Sequence, residues 1–147
     1  MRLEREITKL EKVFIDTAPI IYYIEGHPEF GKHVKKVVEA FQSGRMKAYS
    51  SVITITEVIS KPISDGKEEL ADRFINFLRH GKNLEIISIT DLIAERAGRL
   101  KGKYAFLRAL DAIQLSSAIE IGADAFLTND TKLKSIQEIK IILLKDN

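Results

Sequence analysis

The sequence predicts an α/β fold, a three-layer α/β/α sandwich around a parallel sheet of about five strands. Three observations carry that expectation. Short apolar runs alternate with helix-patterned stretches along the whole chain, as right-handed βαβ crossovers require. Within Lys12-Val13-Phe14-Ile15-Asp16-Thr17 an unbroken apolar run meets an acid, which fits a strand buried on both faces. A helix start, Thr17-Ala18-Pro19, follows at once. Asp16 then falls at the carboxyl end of its strand, where open α/β sheets place their ligand crevices.

The elements follow in order. Residues 1–11 carry Leu3, Ile7 and Leu10 at helical spacing among charges and read as a short amphipathic helix or an N-terminal extension. The first strand spans about 12–16. Thr17 caps a short helix, broken at Gly26-His27-Pro28. A second helix is expected from about Pro28 to Ser43, with Phe30, Val34, Val37, Val38 and Phe41 as its apolar stripe. Lys47 to Ser50 is a weakly marked strand, and Ser51 or Thr54 starts a helix that should stop before Pro62. Asp65-Gly66-Lys67-Glu68 has the form of a capping box for a helix reaching His80-Gly81, buried through Leu70, Phe74, Ile75, Phe77 and Leu78. Leu84 to Ile89 is the clearest β-branched strand, and Thr90 caps a helix with Ile93, Ala97 and Leu100 inward. A helix over about 109–121 is closed by Gly122; Ala125 to Thr128 is a strand, a helical turn lies near 131–136, and Ile139 to Leu144 is the last strand.

A chain of 147 residues, 45% apolar and 30% charged, suits one globular domain. A net charge of +2 does not by itself point to nucleic acid. The absence of cysteine excludes disulfides, thiolate metal sites and a cysteine nucleophile, and suits a reducing cytoplasm. The charged start, Met1-Arg2-Leu3-Glu4-Arg5-Glu6, is unlike a signal peptide, and no apolar run is long enough to span a bilayer, so a cytoplasmic protein is expected. There is no P-loop and no G-x-G-x-x-G. His27, His33 and His80 are scattered in polar helix ends or breakers and are expected to be solvated, and Ser50-Ser51 lacks a nucleophile context.

Four acids remain. Asp16, Glu57, Asp111 and Asp130 each have a local explanation. Asp16 and Asp130 can cap the helical segments that follow them. Glu57 can close a capping box with Thr54, and Asp111 can pair with Arg108. Their joint placement suggests more. Carboxylates brought to one crevice need protons or a cation. An all-oxygen ligand set selects hard ions, Mg²⁺ or Mn²⁺. Such ions can activate water for in-line hydrolysis of a phosphodiester.

Phe14-Ile15-Asp16-Thr17, Glu57 after the second strand, Leu110-Asp111-Ala112-Ile113 with Ser117-Ala118-Ile119-Glu120, and Phe126-Leu127-Thr128-Asn129-Asp130 resemble PIN-domain proteins, and among them the VapC-type toxins of toxin–antitoxin pairs. The resemblance covers about residues 12–144. It implies a five-stranded α/β/α domain, dimeric, with a Mg²⁺- or Mn²⁺-dependent ribonuclease site acting on single-stranded RNA. Asp16, Glu57, Asp111 and Asp130 match the family's catalytic, metal-binding acids, and Thr17, Arg108 and Thr128 match substrate-binding positions. Lys61, Lys132 and Lys134 are further candidates for phosphate contacts. A small antitoxin, a separate chain, would hold the nuclease inactive. The apolar positions of the helices around 18–43 would supply the dimer contact. One departure is Thr131-Lys132-Leu133, where many relatives carry an aromatic.

Two other RNA roles stay open: RNA maturation outside a toxin–antitoxin system, and a non-catalytic RNA-binding module. The intact acidic quartet counts against the second. An aspartyl-phosphate phosphatase also opens with an apolar strand and Asp but needs a second Asp two residues on, where this chain has Ala18.

Overall fold

The computed structural model describes residues 2–146. In chain order the elements are α1 (Arg2–Ile7), β1 (Lys12–Ile15), α2 (Thr17–Glu25), α3 (Gly31–Gln42), β2 (Lys47–Ser51), α4 (Val52–Ser64) and α5 (Glu68–His80). Then come β3 (Leu84–Ile87), α6 (Asp91–Lys103), α7 (Ala109–Glu120), β4 (Ala125–Thr128), a 3₁₀ turn (Thr131–Ser135) and β5 (Lys140–Leu143). The five strands form one parallel sheet in the order β3-β2-β1-β4-β5. The chain therefore grows outward from β1 on one side, then crosses back to lay β4 on the other. The crevice between β1 and β4 is the switch point at which such sheets bind ligands.

The pleat divides the core. Val13 and Ile15 face the layer of α1 to α5, packing with Leu3, Val37, Phe41 and Phe74. Phe14 faces the layer of α6 and α7, with Leu100, Leu115 and Phe126. Phe14 and Phe126 are register partners and stack with ring centroids 5.4 Å apart. Leu133, in place of the expected aromatic, is buried in this second core and closes it beneath the 3₁₀ turn.

Several expectations are corrected. Of the two readings of the N-terminal stretch, the helix is the one present, and α1 buries Leu3 and Ile7 in the first core. Helix α3 starts at Gly31 rather than Pro28, because His27 Nδ1 accepts the Glu29 and Phe30 N–H groups and holds those residues in a turn. Helix α4 does not stop before Pro62 but carries it in its last turn and ends at Ser64. The capping box at Asp65 does not form, since Gly66, with φ 71°, turns the chain. Asp65 instead closes α4 and pairs with Lys61 Nζ at 3.5 Å, and α5 starts at Glu68, its N-cap residue Lys67 making no side-chain cap hydrogen bond. Of the apolar positions around 18–43 expected to supply a dimer contact, Val34, Val37, Val38 and Phe41 of α3 lie inside the chain's own core. Among the described residues no helix is long and apolar enough to cross a membrane.

Candidate metal centre

Asp16 emerges from β1 with its N–H donating to Leu127 O of β4, so the strand pairing runs into the site. Oδ1 accepts the Thr17 N–H at 2.9 Å, capping α2, and Oδ2 accepts the Thr128 hydroxyl at 2.8 Å. That second bond follows from register. Phe14 pairs with Phe126, so Asp16 and Thr128 are the next cross-strand neighbours on the same face. Desolvation pushes the Asp16 carboxyl up to about 6; Asp111 and Glu57 add to the rise, against the two hydrogen bonds.

Glu57 lies in α4 and accepts the Thr17 hydroxyl on Oε1 at 2.7 Å. Its capping-box explanation fails, because Ser51, not Thr54, caps α4. Asp111, in the first turn of α7, pairs with Arg108 at 2.9 Å (Nε–Oδ2). The local pairing foreseen for it is therefore present. It does not empty the site of charge, since Arg108 is held in its charged form first by Asp111 and then by Asp130 and Glu57. Asp130 follows β4 and accepts the Lys132 N–H on Oδ1 at 3.0 Å, capping the 3₁₀ turn. Its own N–H donates to Thr128 Oγ1 at 3.1 Å. Thr128 is fully buried, and its hydroxyl donates to Asp16 and accepts the Asp130 N–H.

The four acids thus belong to one electrostatic neighbourhood at the carboxyl edge of the sheet. They do not form a closed cage. Among the described residues no three Asp, Glu or His side chains are gathered tightly enough to hold an ion as they stand. Their oxygens accept from two backbone N–H groups, two threonine hydroxyls and one guanidinium. The donor chemistry still fits a hard divalent ion, being all oxygen with one desolvated carboxylate short of positive charge. The histidines stand apart, and His27 is a turn cap rather than a solvated side chain.

Sequence reasoning gave Ser51 and Thr54 only helix-start roles, Ser50 no role, and did not consider Gln114. All four are buried, and all four are hydrogen-bonded to one another or to β1. The available signal was a glutamine three residues after Asp111, set between Ile113 and Leu115.

Comparison with known proteins agrees with this architecture. The PIN domain family model matches residues 13–139. No curated protein matches the sequence. Among solved structures, VapBC2 from Rickettsia felis, bound to a DNA fragment from their promoter, aligns with a TM-score of 0.74 at 21% identity, covering 90% of this chain and 98% of that one. A toxin–antitoxin complex from Klebsiella pneumoniae aligns at 0.65 and 25% identity, covering 90% and 97%. A sarcin–ricin loop cleaving toxin of Mycobacterium tuberculosis aligns at 0.67 and 13% identity, covering 87% and 98%. With the family model spanning both cores and all four acids, the chain belongs to the PIN-domain family.

Proposed function

We propose that this protein is a Mg²⁺- or Mn²⁺-dependent endoribonuclease that hydrolyses phosphodiester bonds of single-stranded RNA, and that it is the toxin of a toxin–antitoxin pair. The observation that carries the reading is Asp16: a desolvated carboxylate at the switch point of the sheet, coupled by charge to Asp111 and Glu57. A protein spends stability on such a group when a ligand will relieve it.

Asp16, Asp111 and Asp130 would hold the ion, with Glu57 sharing a second ion or orienting the attacking water. The bound ion supplies charge neutralisation at the phosphate and a water of lowered pKa. Thr128 keeps Asp16 turned to the crevice, and Thr17 does the same for Glu57. Glu57, exposed on α4, would take the proton of the attacking water. Arg108, its guanidinium largely exposed, would pass from Asp111 to a substrate phosphate once Asp111 is engaged. The hollow of about 500 Å³ beside α6 is lined by Leu92, Arg96, Ile119 and their neighbours and by none of the four acids.

The likeness to a toxin–antitoxin complex supports an antitoxin as partner, and a homodimer and a cytoplasmic setting are part of the same reading. Expression with and without the product of an adjacent small gene separates a toxin from an RNA-maturation enzyme, since only a toxin arrests growth when alone. The chemical test is cleavage of a mixed single-stranded RNA by wild type and Asp16→Asn, with Mn²⁺ or Mg²⁺ and with EDTA. The expected result is metal-dependent cutting that the substitution abolishes. Cutting that survives both EDTA and Asp16→Asn would overturn the reading.

A further inference from the structure

We propose that Gln114 is a positioning residue: it holds the helix of Asp111 in register with the helix of Glu57 and the strand of Asp16 through a one-way chain of buried hydrogen bonds. The inference rests on the metal-centre reading above and extends it to residues outside the crevice.

Gln114 lies three residues after Asp111 on α7, so both side chains leave the same face of the helix. It is 1% exposed, and both ends of its amide are used. Nε2 donates to Thr54 Oγ1 at 2.7 Å, and Oε1 accepts the Ser51 hydroxyl. Ser50 Oγ donates to the Ile15 carbonyl at 2.9 Å and lies 2.8 Å from Thr54 Oγ1. The protons can be assigned by elimination. Ser50 has one proton, already given to Ile15, so Thr54 must donate to Ser50. Thr54 then has none left for Gln114, which must present its amide N–H there and its oxygen to Ser51. Turning the amide over would leave Thr54 and Ser50 without a proton between them. Every member is satisfied in one direction only: Ser51 to Gln114 to Thr54 to Ser50 to Ile15.

This chain touches the segments that carry Asp16, Glu57 and Asp111. It starts at the cap of α4, six residues before Glu57, crosses to α7, and ends on the residue before Asp16. Thr17, which holds Glu57, sits 3.4 Å from Thr54 with its own proton given to Glu57. An apolar side chain at 114 would fill the volume but allow α7 to slide or rotate by fractions of an ångström, and Asp111 with it. A fully satisfied buried network specifies position in a way that apolar packing does not.

The test is Mn²⁺ titration of the full chain by calorimetry, without RNA, alongside thermal unfolding in EDTA. In Gln114→Met, similar in size but without the amide, Mn²⁺ should bind about tenfold more weakly or worse, as removal of an outer-shell partner does elsewhere. Thr54→Val should reproduce the loss and Thr54→Ser should restore binding, which a bulk packing role would not do. The Thr54 pair decides the matter if Gln114→Met fails to fold. Folded Gln114→Met or Thr54→Val protein that binds Mn²⁺ within twofold of wild type would overturn the inference. Wild-type protein that is silent to Mn²⁺ would instead overturn the metal-centre reading beneath it.

Discussion

Asp16 takes up a proton at about pH 6, where an ordinary aspartate does so near 3.8, chiefly because its surroundings are dry. A raised folded-state pKa means that the native state binds this proton more tightly than the unfolded chain does. The associated stability is complete below about pH 4 and is lost as pH rises through 6. The amount at stake is on the order of 3 kcal/mol. Metal-free wild type should therefore lose stability across that window relative to Asp16→Asn, which carries no charge there and can still cap α2. At pH 7.5 in EDTA the variant should melt roughly 5–10 °C above wild type. Mn²⁺ should raise the melting temperature of wild type alone. Parallel unfolding curves from pH 4 to 8, with and without the ion, check both statements, and superimposable pH dependences would show that Asp16 is not a desolvated carboxylate.

At the scale of elements, the legible features were those that local chemistry decides. Thr90 caps α6 and accepts the Ile93 N–H at 3.2 Å, as its position before an amphipathic run implied. The apolar strand ending at Asp16 and the strand Ala125 to Thr128 were equally plain. Less legible were devices that join distant segments. Asp124 is one such device: its Oδ2 accepts the N–H groups of Glu11 and Lys12 at 2.8 and 2.9 Å. It staples the start of β1 to the approach of β4 across more than a hundred residues. Ser50 and Gln114 were obscure for the same reason, since their partners lie on other elements. The failed capping box at Asp65 is the converse case: the pattern was present, but a left-handed Gly66 sent it to the wrong helix. Asp124→Ala should cost about 1–2 kcal/mol by leaving two N–H groups without their charged acceptor. The loss should appear in denaturant midpoints, while Mn²⁺ affinity of the folded protein stays at the wild-type value. An affinity that falls in step with stability would mean that the staple also shapes the crevice.

For the molecule as a whole, the question is where affinity for a polyanion would come from. The net charge of +2 is small, and three of the four cations first considered for phosphate contact are already engaged. Arg108 pairs with Asp111, Lys61 with Asp65 at 3.5 Å, and Lys134 with Asp146 at 3.4 Å. Exposed pairs of this kind are weak and can open, but each one that opens returns an unpaired acid to the surface and offsets part of the gain. Binding of RNA should then depend on the metal-loaded crevice and a few phosphates rather than on a basic face. Each neutralised phosphate of a single strand contributes about −0.7 to the slope of log K against log salt. With roughly one to three such contacts the slope should lie between about −0.7 and −2, and removal of the divalent ion should weaken binding more than a moderate rise in salt. The measurement is fluorescence anisotropy of a labelled single-stranded RNA, in a non-cleaving Ca²⁺ buffer and in EDTA, across a salt series. A slope steeper than about −4 would place six or more phosphates on the protein. Recognition would then have to be sought on its lysine-bearing helices, away from the edge of the sheet where the four acids stand.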